Sequence, residues 1–418
     1  MRKTKPLALT ASLLIAVFVL LQTRDYAAFA AFSTQPPIDA TTFYVGAIGQ
    51  PRRVDPARAY DTASGELIMN VYEPLIFFSD EKLMPQNTAN VSQIGFSDLS
   101  AFEPTLATAL PTITTDPITN ITSWTFTIKS GIPFHDWAAA NGTVISRQIM
   151  TAEDVEYSFK KMLVQDMFGG PSWMFALPLT GHMFYSDIDT NSSTNTIEPV
   201  GVDGAGERLV RALIDAAIVR VGNQVTLNML PGEAWPETAF GQVLAQSWGS
   251  VTNEAFSVEH GCWNGNFYDG WSTDYRWMPS KSYGPLDQYY AAKSKYPAGN
   301  PDVPNMCGTG PYKFTYWNKP SAEWRIDKFD AHWRGWSGTH LNTIISKSVP
   351  EWTMRKTDFL LGEYDTIPVP RTSVSELLDP SDPSGYTPLQ GINMYYGAPS
   401  LSIEVMLFCF DVNPECGG

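Results

Sequence analysis

The feature that most constrains this chain is the interleaving of short apolar patterns of period two with apolar patterns of period three to four. Residues 42–48 (Thr-Phe-Tyr-Val-Gly-Ala-Ile) carry the β-branched and aromatic side chains of a strand. After the turn Gly49-Gln50-Pro51 and the Asp55-Pro56 step, Ala63, Leu67, Val71 and Leu75 recur every four residues, which predicts a helix ended by Pro74. Trp124, Phe126 and Ile128 alternate with polar residues as in a half-buried strand. Thr151 and Asp154 form a capping-box variant ahead of a helix whose buried stripe is Val155, Phe159, Met162 and Leu163. Val225, Leu227 and Met229 predict a further strand, residues 312–317 another, and residues 353–361 a helix stopped by Gly362. Strands and helices mixed in this way predict an α/β architecture.

At 418 residues the chain is too long for one ordinary domain, so two or more lobes are expected. With 44% hydrophobic and 17% charged residues it can bury a large core. Residues 80–120 have the composition of surface connections, residues 186–206 that of a boundary, and residues 260–305 are irregular. There is no internal repeat and no heptad pattern.

Arg2, Lys3 and Lys5 precede an uncharged, mostly apolar stretch at residues 7–21 and then Tyr26-Ala27-Ala28-Phe29-Ala30-Ala31. This is the pattern of an export leader cut after Ala30, and the apolar stretch is short of the roughly 20 residues that span a bilayer. An uncleaved N-terminal anchor is the alternative. No cysteine stands in or just after the leader, so no lipid-attachment site is expected. The formal charge of −15 becomes about −18 when residues 1–30 are removed, which disfavours nucleic acid and anionic lipid as partners. An exported chain permits disulfides. Of the three pairings open to Cys262, Cys307, Cys409 and Cys416, sequence proximity favours Cys262 with Cys307 and Cys409 with Cys416, with a buried free thiol at Cys409 as the alternative. The sequons at Asn90, Asn120, Asn141 and Asn191 suit an exported chain.

An enzyme reading finds little support. There is no G-x-S-x-G or H-E-x-x-H motif, and the five histidines (His135, His182, His260, His332 and His340) are dispersed, so neither a metal site nor a cofactor is expected. No acid/base pair stands out among 43 carboxylates. A secreted carbohydrate-active enzyme is the alternative from a different class.

Several segments, in order, resemble the extracellular solute-binding proteins of family 5, the peptide- and nickel-binding receptors of ABC importers. They are Val54-Asp55-Pro56-Ala57 with Asn70-Val71-Tyr72-Glu73-Pro74-Leu75, then Trp124 to Lys129 with Phe134-His135-Asp136. Thr151-Ala-Glu-Asp-Val155 with Tyr157-Ser158-Phe159, Gly308-Thr-Gly-Pro-Tyr312, and Arg355 through Gly362-Glu363-Tyr364-Asp365 complete the set. Ala138-Ala-Ala-Asn-Gly142 departs from the family by lengthening the loop after Asp136. Most of these motifs set backbone geometry or cap helices, so they identify the fold without marking the pocket.

The resemblance implies an α/β, periplasmic-binding-protein type II (cluster C) architecture, with ligand held between two lobes that close by hinge motion. Mapped onto this chain, residues 31–75 and 206–405 form lobe one, residues 76–205 an inserted subdomain, and residues 406–418 the start of lobe two. Phe408-Cys-Phe-Asp-Val-Asn413 resembles the strand that crosses into lobe two, and with the sequence ending at Gly418 the rest of that lobe is expected to be missing. The implied function is capture of an oligopeptide-like solute for an ABC importer by a monomer on the extracellular or periplasmic side. That monomer would be membrane-associated through the permease subunits or an anchor. An oligosaccharide or a nickel chelate is the alternative ligand, and Trp263, Trp271, Trp277, Trp324, Trp333, Trp336 and Trp352 keep a sugar open, although packing is the ordinary use of each. Three positions carry over as candidate ligand contacts. They are Gln50 in the loop before Asp55, Trp173 after the Gly-Pro-Ser step, and Arg371 beyond the 353–361 helix. Gln50 stands where oligopeptide binders often carry an acid, and unlike an acid it cannot pair with a ligand ammonium.

Overall fold

In the computed structural model, residues 40–79, 99–139, 141–165, 170–182, 190–191, 196–197, 213–260, 262–263, 265, 306–385 and 387–394 are described. The longer strands, in chain order, are β1 (Thr42–Ala47), β2 (Thr112–Thr115), β3 (Thr122–Thr127) and β4 (Ile218–Val221). They continue with β5 (Gln224–Met229), β6 (Tyr312–Asn318), β7 (Glu323–Lys328) and β8 (Thr343–Ser348). The helices used below are α1 (Thr62–Val71), α2 (Ala152–Gln165), α3 (Trp173–Thr180), α4 (Glu237–Ala245), α5 (Glu254–Glu259) and α6 (Trp352–Leu360). Each strand and helix predicted from periodicity is present, within a few residues at its ends.

One four-stranded sheet runs β1-β8-β7-β6. β1 pairs parallel with β8, from Thr42↔Thr343 to Ala47↔Ser348, and the remaining ladders are antiparallel. Its core joins Val54, Leu67, Ile68, Val71 and Tyr72 to Phe314, Trp317, Trp324 and Ile326. α1 is the helix that covers this core. Asp61 caps it by accepting from the Ser64 amide at 2.9 Å. It ends at Val71, before the expected stop at Pro74, because Tyr72 is already extended (φ −114°, ψ 162°). The buried face is Ser64, Leu67, Ile68 and Val71, so Ser64 replaces the expected Ala63. The reason is polar: Ser64 Oγ donates to Asp61 Oδ2 at 2.7 Å and accepts from the amides of Arg52 and Arg53 at 2.9 and 3.1 Å.

The second four-stranded sheet runs β4-β5-β3-β2, antiparallel throughout. Val225, Leu227 and Met229 point into the larger core with Trp124, Phe126, Phe240, Leu244 and Phe256. α2 packs the stripe Val155, Phe159, Met162 and Leu163 into the same core. Its cap closes as the sequence suggests, with Asp154 Oδ2 accepting from the Thr151 amide at 2.9 Å and Thr151 Oγ1 accepting from the Glu153 amide at 3.2 Å. The ladder of β3 and β5 pairs residues 122–127 with residues 224–229.

The favoured pairing of Cys262 with Cys307 is not formed. Both are buried thiols, and Cys307 Sγ donates to the His135 carbonyl at 3.3 Å, which gives a thiol in an apolar core its one good acceptor. Cys409 and Cys416, the leader, and most of residues 186–206 and 260–305 lie outside the described residues. Among the described residues no helix is long and apolar enough to cross a membrane.

A buried ion pair connects the two cores. Lys161 Nζ on α2 lies 2.7 Å from Asp55 Oδ1, with the two side chains 1% and 0% exposed. The same oxygen accepts from the Ala57 amide at 3.0 Å, which fixes the Asp55-Pro56 turn. Replacing Lys161 with Met strands the carboxylate and is expected to cost about 3–5 kcal/mol in urea unfolding. The double replacement Asp55→Asn with Lys161→Met is expected to cost less than Lys161→Met alone.

Candidate functional site

Ligands of open α/β sheets collect outside the carboxyl ends of parallel strands. Here β1 and β8 end together at Ala47 and Ser348, and β6, antiparallel to β7, runs the same way as β1. A parallel bridge, Val45↔Thr366, brings a further segment beside β1 in that direction. Three loops therefore leave this edge, at residues 48–53, 349–351 and 367–371. They are stitched at their bases: the Val349 amide donates to Ala47 O at 2.8 Å, Ser348 Oγ to Ile48 O at 3.1 Å, and the Gly46 amide to Thr366 O at 3.0 Å. Gly46 is required for this approach, since a Cβ there would stand 2.7 Å from the Tyr364 ring and 2.8 Å from Ile367.

Two of the three candidate residues sit on these loops. Gln50, half-buried, accepts from Trp317 Nε1 at 3.3 Å, which carries the loop after β1 to the end of β6. Arg371 is exposed and opens the 3-10 helix Arg371–Leu377. Trp173 is placed elsewhere, at the start of α3, half-buried against the larger core with its ring 6.3 Å from that of Trp235.

Arg355, quoted in sequence only as part of a helix-end motif, organises this edge. The residue is 1% exposed. Nη1 donates to Val349 O at 2.6 Å and Pro350 O at 3.1 Å, and Nη2 to Pro368 O at 3.2 Å, so one side chain ties the loop after β8 to the loop that leads to Arg371. Burial draws its pKa down, with Glu351 opposing. Glu351 is itself held as the cap of α6 by the amides of Thr353 (2.9 Å) and Met354 (2.6 Å). The available sequence signal was a charged residue at the one position of α6 that is buried.

A second cluster gathers the remaining motifs. Buried Glu73 accepts from Thr309 Oγ1 and Trp333 Nε1, each at 2.8 Å, with His332 Nε2 at 3.3 Å. His135 pairs Nε2 with the Gly310 carbonyl at 2.9 Å, and its amide donates to Gly308 O at 2.8 Å. Burial pushes the His135 pKa down to about 4, so the ring is neutral. Adjacent Asp136 turns away and accepts from the Arg147 amide at 2.9 Å, so the two do not form an acid/base pair. This cluster is an internal joint whose hydrogen bonds tie together distant parts of the chain.

The carboxylates Glu153, Asp154, Glu156 and Glu254 crowd the start of α2 and of α5. Burial, and then these neighbours, push Glu254 up to about 7, with Arg220 opposing. Arg220 answers with Nε 2.7 Å from Glu156. No group of three or more His, Cys, Asp or Glu among the described residues is arranged to hold a metal ion.

The family described as bacterial extracellular solute-binding proteins, family 5 Middle, matches residues 101–412. Among solved structures, Helicobacter pylori DppA, an ABC transporter-associated periplasmic binding protein in complex with the peptide STSA, is 16% identical. That match covers 80% of this chain and 48% of DppA at a TM-score of 0.44. The oligopeptide-binding protein AppA from Bacillus subtilis, in complex with a nonapeptide, is 15% identical over 81% of this chain and 46% of its own, at a TM-score of 0.46. The Escherichia coli murein tripeptide binding protein MppA is 15% identical over 82% and 49%, at a TM-score of 0.45. The chain spans about half the length of these structures. No curated protein sequence matches it.

Two outcomes test this geometry. Arg355→Met leaves the carbonyls of Val349, Pro350 and Pro368 without their buried donor and is expected to cost about 1–3 kcal/mol in urea unfolding. For Glu254, a folded pKa near 7 against an ordinary 4.5 means that its contribution is full below 4.5 and is lost as pH rises through 7. Glu254→Gln is therefore expected to match the wild type in melting temperature at pH 4.5 and to exceed it at pH 8.

Proposed function

The chain belongs to the bacterial extracellular solute-binding proteins of family 5, and on that premise we propose that it captures an oligopeptide or similar extended solute for the permease subunits of an ABC importer. The observation that carries the proposal is the edge at which β1, β8 and β6 all end, where Gln50 stands on a loop held by Trp317 and Arg371 beyond a loop fastened by Arg355. An edge of this kind offers polar groups on a rigid base, and Trp173, set on the larger core, is carried as a ligand contact by the family resemblance alone. Residues 1–30 act as the export leader of a monomeric receptor outside the cytoplasm. Residues 31–75 and 206–405 form the first lobe, which holds the sheet of β1, β8, β7 and β6, and residues 76–205 the subdomain set into it.

Binding alone, with no bond made or broken, is the chemistry these groups support. Gln50 donates and accepts, Arg371 supplies a cation, and Trp173 a ring face. Titration of the secreted protein with peptide and oligosaccharide libraries, followed by tryptophan fluorescence, tests the reading. A saturable response to short peptides is expected, weakened about tenfold by Gln50→Ala or Arg371→Ala, which corresponds to about 1.4 kcal/mol. Response to sugars alone, or to neither library, would overturn peptide capture.

A further inference from the structure

The amide of Gln50 is oriented by its neighbour, and the orientation has a consequence for the ligand. An indole N–H can only donate, so the atom that faces Trp317 Nε1 at 3.3 Å is the Gln50 oxygen. The opposite assignment would set N–H against N–H. The Gln50 NH2 therefore points away from Trp317, and it makes no hydrogen bond within the described residues. Arg52, two residues on from Gln50 across Pro51, is exposed. Lys319 Nζ lies 4.3 Å over the ring of the same Trp317. The adjacent carboxylate, Asp61, is committed: Oδ1 accepts from the Ser64 amide at 2.9 Å and Oδ2 from Ser64 Oγ at 2.7 Å. The loop after β1 thus presents the Gln50 NH2 donor and the Arg52 cation.

We propose that this face is an acceptor-selective subsite, in which Gln50 NH2 and Arg52 receive a carboxylate of the bound solute. This rests on the reading of the edge as a ligand site and deepens it by naming the group recognised there. A solute ammonium, which only donates, finds no acceptor at the Gln50 NH2 and is disfavoured there. A carboxylate satisfies the free amide hydrogens by charge-assisted bonds.

The side-chain amide signals of Gln50 report the subsite directly in a 15N NMR spectrum of the secreted protein, identified by their loss in Gln50→Glu. Three probes distinguish the source of the carboxylate. N-acetyl-dialanine carries a terminal carboxylate, its C-terminal amide carries none, and N-acetyl-glutamyl-alanine amide carries only a side-chain carboxylate. The expected result is a shift of the Gln50 signals by the first or third probe and not by the second. The affinity should weaken about two- to fivefold in Arg52→Gln, the range of an exposed ion pair. No shift with any probe, or an equal shift with the uncharged amide, would overturn the subsite. Calorimetry with free peptides separates this from the parent reading. Peptide binding with Gln50 unmoved sinks the subsite alone, whereas a carboxylate shift without peptide binding sinks peptide capture alone.

Discussion

Two separate cores can share one rigid frame only if something immobile crosses between them, and here a buried lysine and a buried aspartate do so. Lys161 leaves the apolar stripe of α2 to reach Asp55, whose own core is built on α1 and the sheet of β6 and β7. A buried pair of this kind is a weak source of net stability, because desolvation of both ions offsets their attraction. Its effect is on specificity: any arrangement that separates α2 from the Asp55-Pro56 turn leaves two uncompensated charges in a dry interior. The turn in turn closes the far end of the loop that bears Gln50, so one contact bears on both the relation of the two cores and that loop.

The joint around Gly308 and Gly310 works by closeness where the ion pair works by charge. A Cβ on Gly308 would stand 2.0 Å from Val71 O, and one on Gly310 would stand 2.6 Å from Asn70 O. Only glycine lets this turn lie against the last carbonyls of α1, where the Gly310 amide donates to Val71 O at 3.0 Å. With the backbone pressed together, Thr309 is delivered to Glu73 and the Gly310 carbonyl to His135. Motifs separated by more than 170 residues thus hold one another. Their regular order along the chain reflects this mutual dependence in the fold, and they leave the ligand edge to other residues.

What the sequence made legible follows from which forces are local. The alternation of Val225, Leu227 and Met229, the stripe of α2 and the Thr151–Asp154 cap are set by period and by neighbours three residues away, and all are found as read. Ser64 was not legible in its core role, because its partners are the amides of Arg52 and Arg53, twelve and eleven residues off in a turn. Arg355 was missed for the same reason. Its burial depends on carbonyls of two loops that only the β1–β8 pairing brings together. The pairing of Cys262 with Cys307, drawn from spacing, failed because sequence distance carries no geometry. Of the candidate site, Gln50, Trp173 and Arg371 were all carried by the family resemblance, and the structure brings the first and last to one edge and sets Trp173 on the larger core, since a resemblance transfers positions while contacts are made by this chain alone.

The orientation of Gln50 shows how far a single donor can carry specificity. Trp317 belongs to the core of β6 and is 5% exposed, so its ring is positioned by packing before any ligand arrives. Because indole nitrogen has no acceptor role, that packing fixes which end of the Gln50 amide is turned outward. The amide is preorganised at little entropic cost, as the rigid partner has already been ordered by folding. An acid at position 50 would also accept from Trp317, yet its second oxygen would then turn outward and attract a cation. The choice between glutamine and glutamate at one half-buried position therefore inverts the charge preference of the edge without altering the core beneath it.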